Sequence, residues 1–442
     1  MKRLLLFCAL CGCGAPDFAR GQNTMDPIGV TALRAQDATL TGSGTIAMQV
    51  EAGSGFDPKG LDFEVDPGSP GQAVALFSWR SAVGSAVRFP NNVGTESPHA
   101  DQVAEAFYGA YTGVAPGLRH VGNYEMNYFY AAVIRTLEAV TAQVFNQSFS
   151  FGLHNTAQDK AYDDYIAEHH TVVVSGIGDG GAVQTPADCY NGLGAAAYGG
   201  ASSTGPTADG RCKPDITAPA TVTSLSTPLV SGAAAILIQG GRRQGVNAAA
   251  AIDSRTIKAL LLNGAVKPPG WSHSTAVPLD PSYGAGVLEV FNSYSELSGG
   301  RHGPVGIGYA PAANGHPPLT GGLAVNVAKG WDYRPIKNTV TEEAVNHYRI
   351  TTGGNGALVS TLVWNKGYGQ SRINRLALFL YNAGGELLAS STSTVDNVQQ
   401  VYVSGLGAGT YELEVVKSAG VAGTAGVVSG REIYALAWDF ER

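Results

Sequence analysis

The hydrophobic pattern changes period near residue 300, and that change limits the chain to two joined architectures. Upstream, short apolar runs alternate with helical stretches. Residues 45–50 and 143–145 read as strands. Thr171-Val172-Val173-Val174 is an unbroken β-branched run, the pattern of a parallel strand buried on both faces. Between them, residues 99–111 place Val103, Ala104 and Phe107 on one helical face, and the spacing predicts further helices over 129–142, 225–239 and 254–263. Strands alternating with helices predict an α/β layered domain with a mostly parallel sheet. Ser298-Gly299-Gly300 and Gly303-Pro304 then mark a boundary. Beyond it the apolar residues alternate singly: Leu376, Leu378 and Leu380; Tyr411, Leu413 and Val415; Tyr434, Leu436, Trp438 and Phe440. That period, broken by turns such as Gly384-Gly385, predicts a small all-β sandwich. The expected organisation is a leader over 1–21, an α/β domain over 22–300 and an accessory sandwich over 301–442.

Composition removes several classes of function. The net charge of −7 gives no basic footprint for nucleic acid. After the N-terminus no apolar run reaches the roughly 18 residues that a membrane-spanning helix needs. At the start, Met1-Lys2-Arg3, a short apolar stretch over 4–10 and Ala19-Arg20-Gly21 read as a cleavable secretory leader. The mature chain is therefore expected outside the cytoplasm: secreted, periplasmic or at the cell surface. Leu10-Cys11-Gly12-Cys13 offers a second reading, with a lipid on Cys13. Three of the five cysteines lie in this leader. Cys189 and Cys212 remain, and both a disulfide and a pair of buried thiols fit the pattern.

Three polar residues carry chemistry in their settings. Ser224 precedes an apolar, Ala-rich helix, and Pro228 fits only the first turn of such a helix. Ser224 thus sits at a helix N-terminus, where the backbone N–H and the dipole favour a forming anion. An ordinary N-cap is the alternative. His99 also lies at a helix start, where the dipole disfavours charging and suits a general base. Glu51 ends the first strand, and carboxyl ends of parallel strands face the ligand crevice. Asp101 follows His99 by two positions, so the helix turns it away from the imidazole.

The flanking segments resemble those of the subtilisin-like serine proteases, the subtilases. Thr223-Ser224, Thr227-Pro228 and Val230-Ser231-Gly232 are similar to the family's nucleophile motif, and Lys213-Pro214-Asp215-Ile216 to the segment before it. Gly113-Val114-Ala115-Pro116-Gly117 resembles the strand entry after the family's histidine helix. Asn146-Gln147-Ser148 is similar to the strand end that lines the cleft, and Tyr283-Gly284-Ala285-Gly286-Val287-Leu288 to the closing helix entry. The resemblance spans about residues 26–300, and acid, histidine and serine follow the family's chain order.

The resemblance implies a subtilisin-like sheet flanked by helices. It implies that Ser224 attacks the scissile carbonyl, His99 takes the proton, Glu51 orients the imidazole and the Ser224 N–H supplies part of an oxyanion hole. Asn146 and Ser148 would line the substrate cleft. The position matching the family's oxyanion asparagine is Gly178, or Asp179 with a shift of one, and neither offers an amide. Glu51 replaces the usual Asp, His99-Ala100-Asp101-Gln102 replaces His-Gly-Thr-His, and Val222 stands where the family has Gly. The strands around Leu376-Ala377-Leu378-Phe379-Leu380-Tyr381 and Gly409-Thr410-Tyr411-Glu412-Leu413 resemble the pre-peptidase C-terminal type.

The main expectation is a secreted, monomeric serine endopeptidase acting on protein or peptide substrates without a cofactor. An impaired subtilase-fold protein that binds peptides or a surface partner is the alternative, and a purely structural exported scaffold is a third. Calcium is frequent in the family, but no acidic loop in this sequence singles out a metal site.

Overall fold

A computed structural model of the chain describes residues 25–53, 61–309, 326–338, 344–354, 356–418 and 430–440. The expected leader lies outside the described residues. The first part is built on an eight-stranded sheet. From one edge its strands are Ile216–Pro219, Leu193–Tyr198, Val172–Gly176, Val144–Gln147, Ile46–Glu51, His120–Glu125, Phe77–Ser81 and Gly84–Ala86. Every neighbouring pair is parallel except the closing hairpin between the last two. The first strand in the chain, Ile46–Glu51, lies inside the sheet; toward one edge the strands follow in chain order, whereas on the other side His120–Glu125 inserts between it and the earlier hairpin Phe77–Ser81/Gly84–Ala86. Such a switch point opens a crevice at the carboxyl ends of the strands.

The strands Phe77–Ser81, Leu193–Tyr198 and Ile216–Pro219 were not expected from the sequence, and two further elements show why such segments escape. The strand His120–Glu125 reads HVGNYE, with no apolar alternation. Tertiary contacts explain both breaks. A Cβ at Gly122 would lie 2.3 Å from Met48 Sδ, and Asn123 uses its side chain to hold the Val65 N–H at 2.9 Å. The helix Thr156–His169 has a mixed, polar surface and is fixed at its start by Asn155, whose side chain accepts from the N–H groups of Ala157 and Gln158.

The helix expected over 129–142 differs. A short helix, Met126–Phe129, widens into a π-type turn over Tyr130–Ile134, and the chain then leaves helical geometry. Leu137 stops it, with a left-handed φ of 55°. The serine-bearing helix spans Thr223–Gly241 and is buried along nearly its whole length. Pro228 lies inside this helix rather than in its first turn.

The remaining chain forms two antiparallel sheets. One contains Gly306–Tyr309, Ala344–Thr352, Gly409–Lys417, Leu376–Asn382 and Leu387–Ser391; the other contains Lys329–Lys337, Arg431–Asp439, Gly356–Trp364 and Val398–Leu406. Alternation along Arg431–Asp439 sends Tyr434, Leu436 and Trp438 into the core between these sheets. Ala435 and Ala437 point the other way and join the core of the α/β part, together with Trp331, Val363 and Val398. The four-stranded sheet is therefore covered on both faces. Its outer face lies against the helix Ser254–Gly264, in which every residue is buried. Polar groups cross the same seam: Thr361 Oγ1 donates to Asn263 Oδ1 at 2.9 Å, and Lys267 Nζ donates to Gln400 Oε1 at 2.9 Å. Cys189 and Cys212 are separate buried thiols, so no disulfide joins them.

Candidate active site

The carboxyl edge of the large sheet collects the residues singled out in the sequence. Glu51 ends the central strand and is fully buried. Its Oε2 accepts from His99 Nδ1 at 2.8 Å, and its Oε1 accepts from Gln49 Nε2 at 2.8 Å. Gln49 precedes Glu51 by two positions, so both side chains leave the same face of the strand. The other Gln49 N–H donates to the Ala100 carbonyl at 2.8 Å, and Tyr108 donates its hydroxyl to Gln49 Oε1. Gln49 and Tyr108 thus lock the carboxylate from behind. Neither was singled out in the sequence, although the period of two already placed Gln49 beside Glu51.

His99 follows Ser97 and Pro98 at the start of the helix Pro98–Tyr108, with Ser97 as the capping residue. The helix start led to an imidazole that resists charging. The structure reverses this: His99 is raised above 6.5, first by its hydrogen bond to Glu51, with the charges of Glu51 and Asp179 adding to it against the effect of burial. A buried, bonded carboxylate outweighs a helix dipole felt at a partly exposed ring. Asp101 does turn away. It accepts from the Asp66 N–H at 2.8 Å and from Ser69 Oγ at 3.0 Å, and burial pushes it up to about 6.

Ser224 is the second residue of its helix and is half-buried. Among the described residues its Oγ donates to the Ser148 carbonyl at 3.4 Å, not to His99. Ser148 answers by donating its hydroxyl to the Ser224 carbonyl at 2.9 Å. The reason lies four residues on. Pro228 has no N–H, so the Ser224 carbonyl loses its ordinary helical partner and takes the Ser148 hydroxyl instead. Asn146 stands one layer deeper. It is buried, donating to Ser148 Oγ at 3.1 Å and accepting from Ser231 Oγ at 2.9 Å, so it braces Ser148 against the serine helix.

The loop after the strand Val172–Gly176 completes the edge. Gly178 has a left-handed φ of 103°, and a Cβ there would come within 2.7 Å of Ser203 Oγ. No side-chain donor fits at that position. The next residue, Asp179, points at the serine helix: its Oδ1 accepts from the Thr223 N–H at 2.7 Å and from Thr223 Oγ1 at 2.8 Å. Its charge also acts on His99. One carboxylate is therefore bonded to the first turn of the helix that bears Ser224 and acts by its charge on the imidazole.

Chemically, this edge offers an imidazole oriented by a buried carboxylate that raises its pKa. It also offers a hydroxyl on the first turn of a buried helix, where free N–H groups favour negative charge.

Residues 111–286 match the model of the Subtilase family. The matched segment contains Ser224 and begins after Glu51 and His99. Several solved structures are also similar in part. A protease from Pseudoalteromonas arctica PAMC 21717 is 17% identical with a TM-score of 0.45, the match covering 64% of this chain and 99% of that one. A lanthipeptide protease is 15% identical with a TM-score of 0.44, covering 62% of this chain and 94% of that one. Tripeptidyl peptidase 2 is 14% identical with a TM-score of 0.37, covering 78% of this chain but 40% of that one. Among curated proteins none matches the chain.

Proposed function

We propose, from the subtilase domain that this chain carries, that it is an exported serine endopeptidase working through Glu51, His99 and Ser224. The observation that carries the reading is the 2.8 Å bond from His99 Nδ1 to the buried Glu51, at the sheet edge where the Ser224 helix also begins. With Nδ1 held by Glu51, the other ring nitrogen is the one available to take a proton from Ser224 Oγ. The alkoxide attacks a peptide carbonyl, and the negative charge forms beside the first turn of the serine helix. Asp179 takes the Thr223 N–H, which leaves the Ser224 N–H for that oxygen. Collapse of the tetrahedral species breaks the C–N bond, and His99 returns its proton to the departing amine. Water, deprotonated by His99, then releases the acyl group from Ser224. Protein and peptide substrates follow from the family. The leader over 1–21 supports export, and the two C-terminal sheets are read as a pre-peptidase C-terminal-type domain.

One observation favours a second reading. The position next to Gly178 holds the Asp179 carboxylate, and a negative charge there opposes a forming oxyanion. A subtilase-fold peptide-binding module would carry such a residue without penalty. A fluorophosphonate probe separates the two. For the enzyme, the folded chain is labelled at Ser224, Ser224→Ala abolishes labelling and His99→Ala slows it on the order of a hundredfold or more. Saturable peptide binding without labelling would establish the binding module instead.

A further inference from the structure

We propose that His154, Asp159 and Asp188 form a binding site for one divalent transition-metal cation, zinc by its ligand chemistry, that ties together two loops of the substrate cleft. The inference does not depend on turnover at Ser224.

The three residues come from separate elements. His154 precedes the helix Thr156–His169, Asp159 lies in its first turn, and Asp188 lies in the loop leading to the strand Leu193–Tyr198. Their ligand atoms all lie within 4.8 Å of one another. His154 Nδ1 is 2.5 Å from Asp188 Oδ2 and 3.1 Å from Asp159 Oδ2. Tetrahedral zinc bonds would set such atoms about 3.3 Å apart, so the two contacts of His154 need to open by less than about 1 Å.

The independent observation is the state of the carboxylates. Asp159 and Asp188 are 4% and 0% exposed. Neither oxygen of Asp159 nor Oδ1 of Asp188 has a hydrogen-bond partner in good geometry; Asp159 meets only the neighbouring Asp188, Thr185 and His154 in looser contacts. Buried carboxylate oxygens are normally paired, and these face one another around a single imidazole. The cation whose charge reaches Asp159 is Arg211, and its Nε is already given to both oxygens of Asp209 at 2.9 Å. A bound divalent cation would neutralise both carboxylates at once.

The histidine is also set for metal binding. Its Nδ1 faces the carboxylates and its Nε2 lies 3.2 Å from Thr156 Oγ1. A metal on Nδ1 requires the proton on Nε2, where the Thr156 hydroxyl accepts it, the usual outer support of a metal-bound imidazole. An imidazole with two monodentate carboxylates suits zinc or cobalt. Calcium prefers six to eight oxygens, more than this cluster provides.

The position gives the site its consequence. The loop that carries His154 starts at Ser148, the residue bonded to Ser224. The loop that carries Asp188 starts at Gly178 and Asp179. The two already touch through Phe151 N–H to the Thr185 carbonyl at 2.7 Å and Asn155 N–H to Thr185 Oγ1 at 2.8 Å. A metal would add a further clamp between the walls of the cleft.

The test uses the full mature chain, stripped with a chelator and reloaded with zinc or cobalt. The expected result is about one metal per chain, with an intense visible cobalt band typical of low coordination number. Asp188→Asn and Asp159→Asn each lose the band and at least tenfold in affinity. His347→Ala, in a second His–Glu cluster with Glu412 and Glu414, keeps both. The wild-type measurement stands alone if a variant fails to fold. Absence of stoichiometric zinc or cobalt in the wild type, a response to calcium alone, or a band lost in His347→Ala and kept in Asp188→Asn would each overturn the proposal. The first result would identify a proton shared between the carboxylates as the occupant.

Discussion

Glu51 meets His99 Nδ1 in a 2.8 Å bond, and Gln49 and Tyr108 hold its side chain from behind. The charge consequences are specific. Because Glu51 and Asp179 raise His99, the ring stays protonated above pH 6.5. In the proposed mechanism His99 must be neutral to accept a proton, so peptidase activity should fall as pH decreases through a midpoint above 6.5. Asp179→Asn removes one of those negative charges while keeping an oxygen for the Thr223 N–H. The acid limb of the kcat/KM profile should therefore move to lower pH, and kcat should rise on the order of tenfold as opposition to the oxyanion is relieved. A pH-rate profile on a chromogenic peptide checks both. An unchanged limb would show that Asp179 does not act on His99.

At the scale of the element, the serine helix is held by a substitution of partners. Pro228 withholds an N–H from the Ser224 carbonyl, and Ser148 supplies a hydroxyl in its place. Ser148→Ala should then leave a polar group without a partner and cost about 1–3 kcal/mol by denaturant unfolding. Pro228→Ala restores the helical N–H donor. In that background the cost of Ser148→Ala should be smaller, the remainder being the lost bond from buried Asn146, and a full double-mutant cycle measures the coupling. Equal costs in both backgrounds would mean that Ser148 acts on something other than the helix carbonyl.

At the scale of the whole molecule, the C-terminal sheets are not a detachable appendage. Trp331 is fully buried in the α/β core and donates its Nε1–H to the Leu297 carbonyl at 3.1 Å. Ala435 and Ala437 let the four-stranded sheet approach the helix Ser254–Gly264 closely. Trp331→Ala should cost about 3–5 kcal/mol and lower the thermal midpoint of the α/β part together with that of the sheets, in one transition by calorimetry. A chain ending at residue 300 should expose the otherwise buried helix and be cleaved rapidly by trypsin. Two separate transitions, or a protease-resistant 1–300 fragment, would show independent units.

Local periodicity made three of the parallel strands (Ile46–Glu51, Val144–Gln147 and Val172–Gly176), the serine helix and the C-terminal alternation legible, because a strand or helix with one kind of environment writes its period into its residues. It also placed Glu51, His99 and Ser224 at element ends, since caps, prolines and strand termini have short-range signatures. The strand His120–Glu125 escaped because its Gly and Asn answer to Met48 and Val65, far away in sequence. The sign of the His99 shift, the exchange of partners around Pro228 and the joining of Ala435 and Ala437 to the α/β core were decided by tertiary structure alone. Charge, orphaned carbonyls and shared faces depend on which distant groups arrive within a few ångströms, and no local pattern contains that distance.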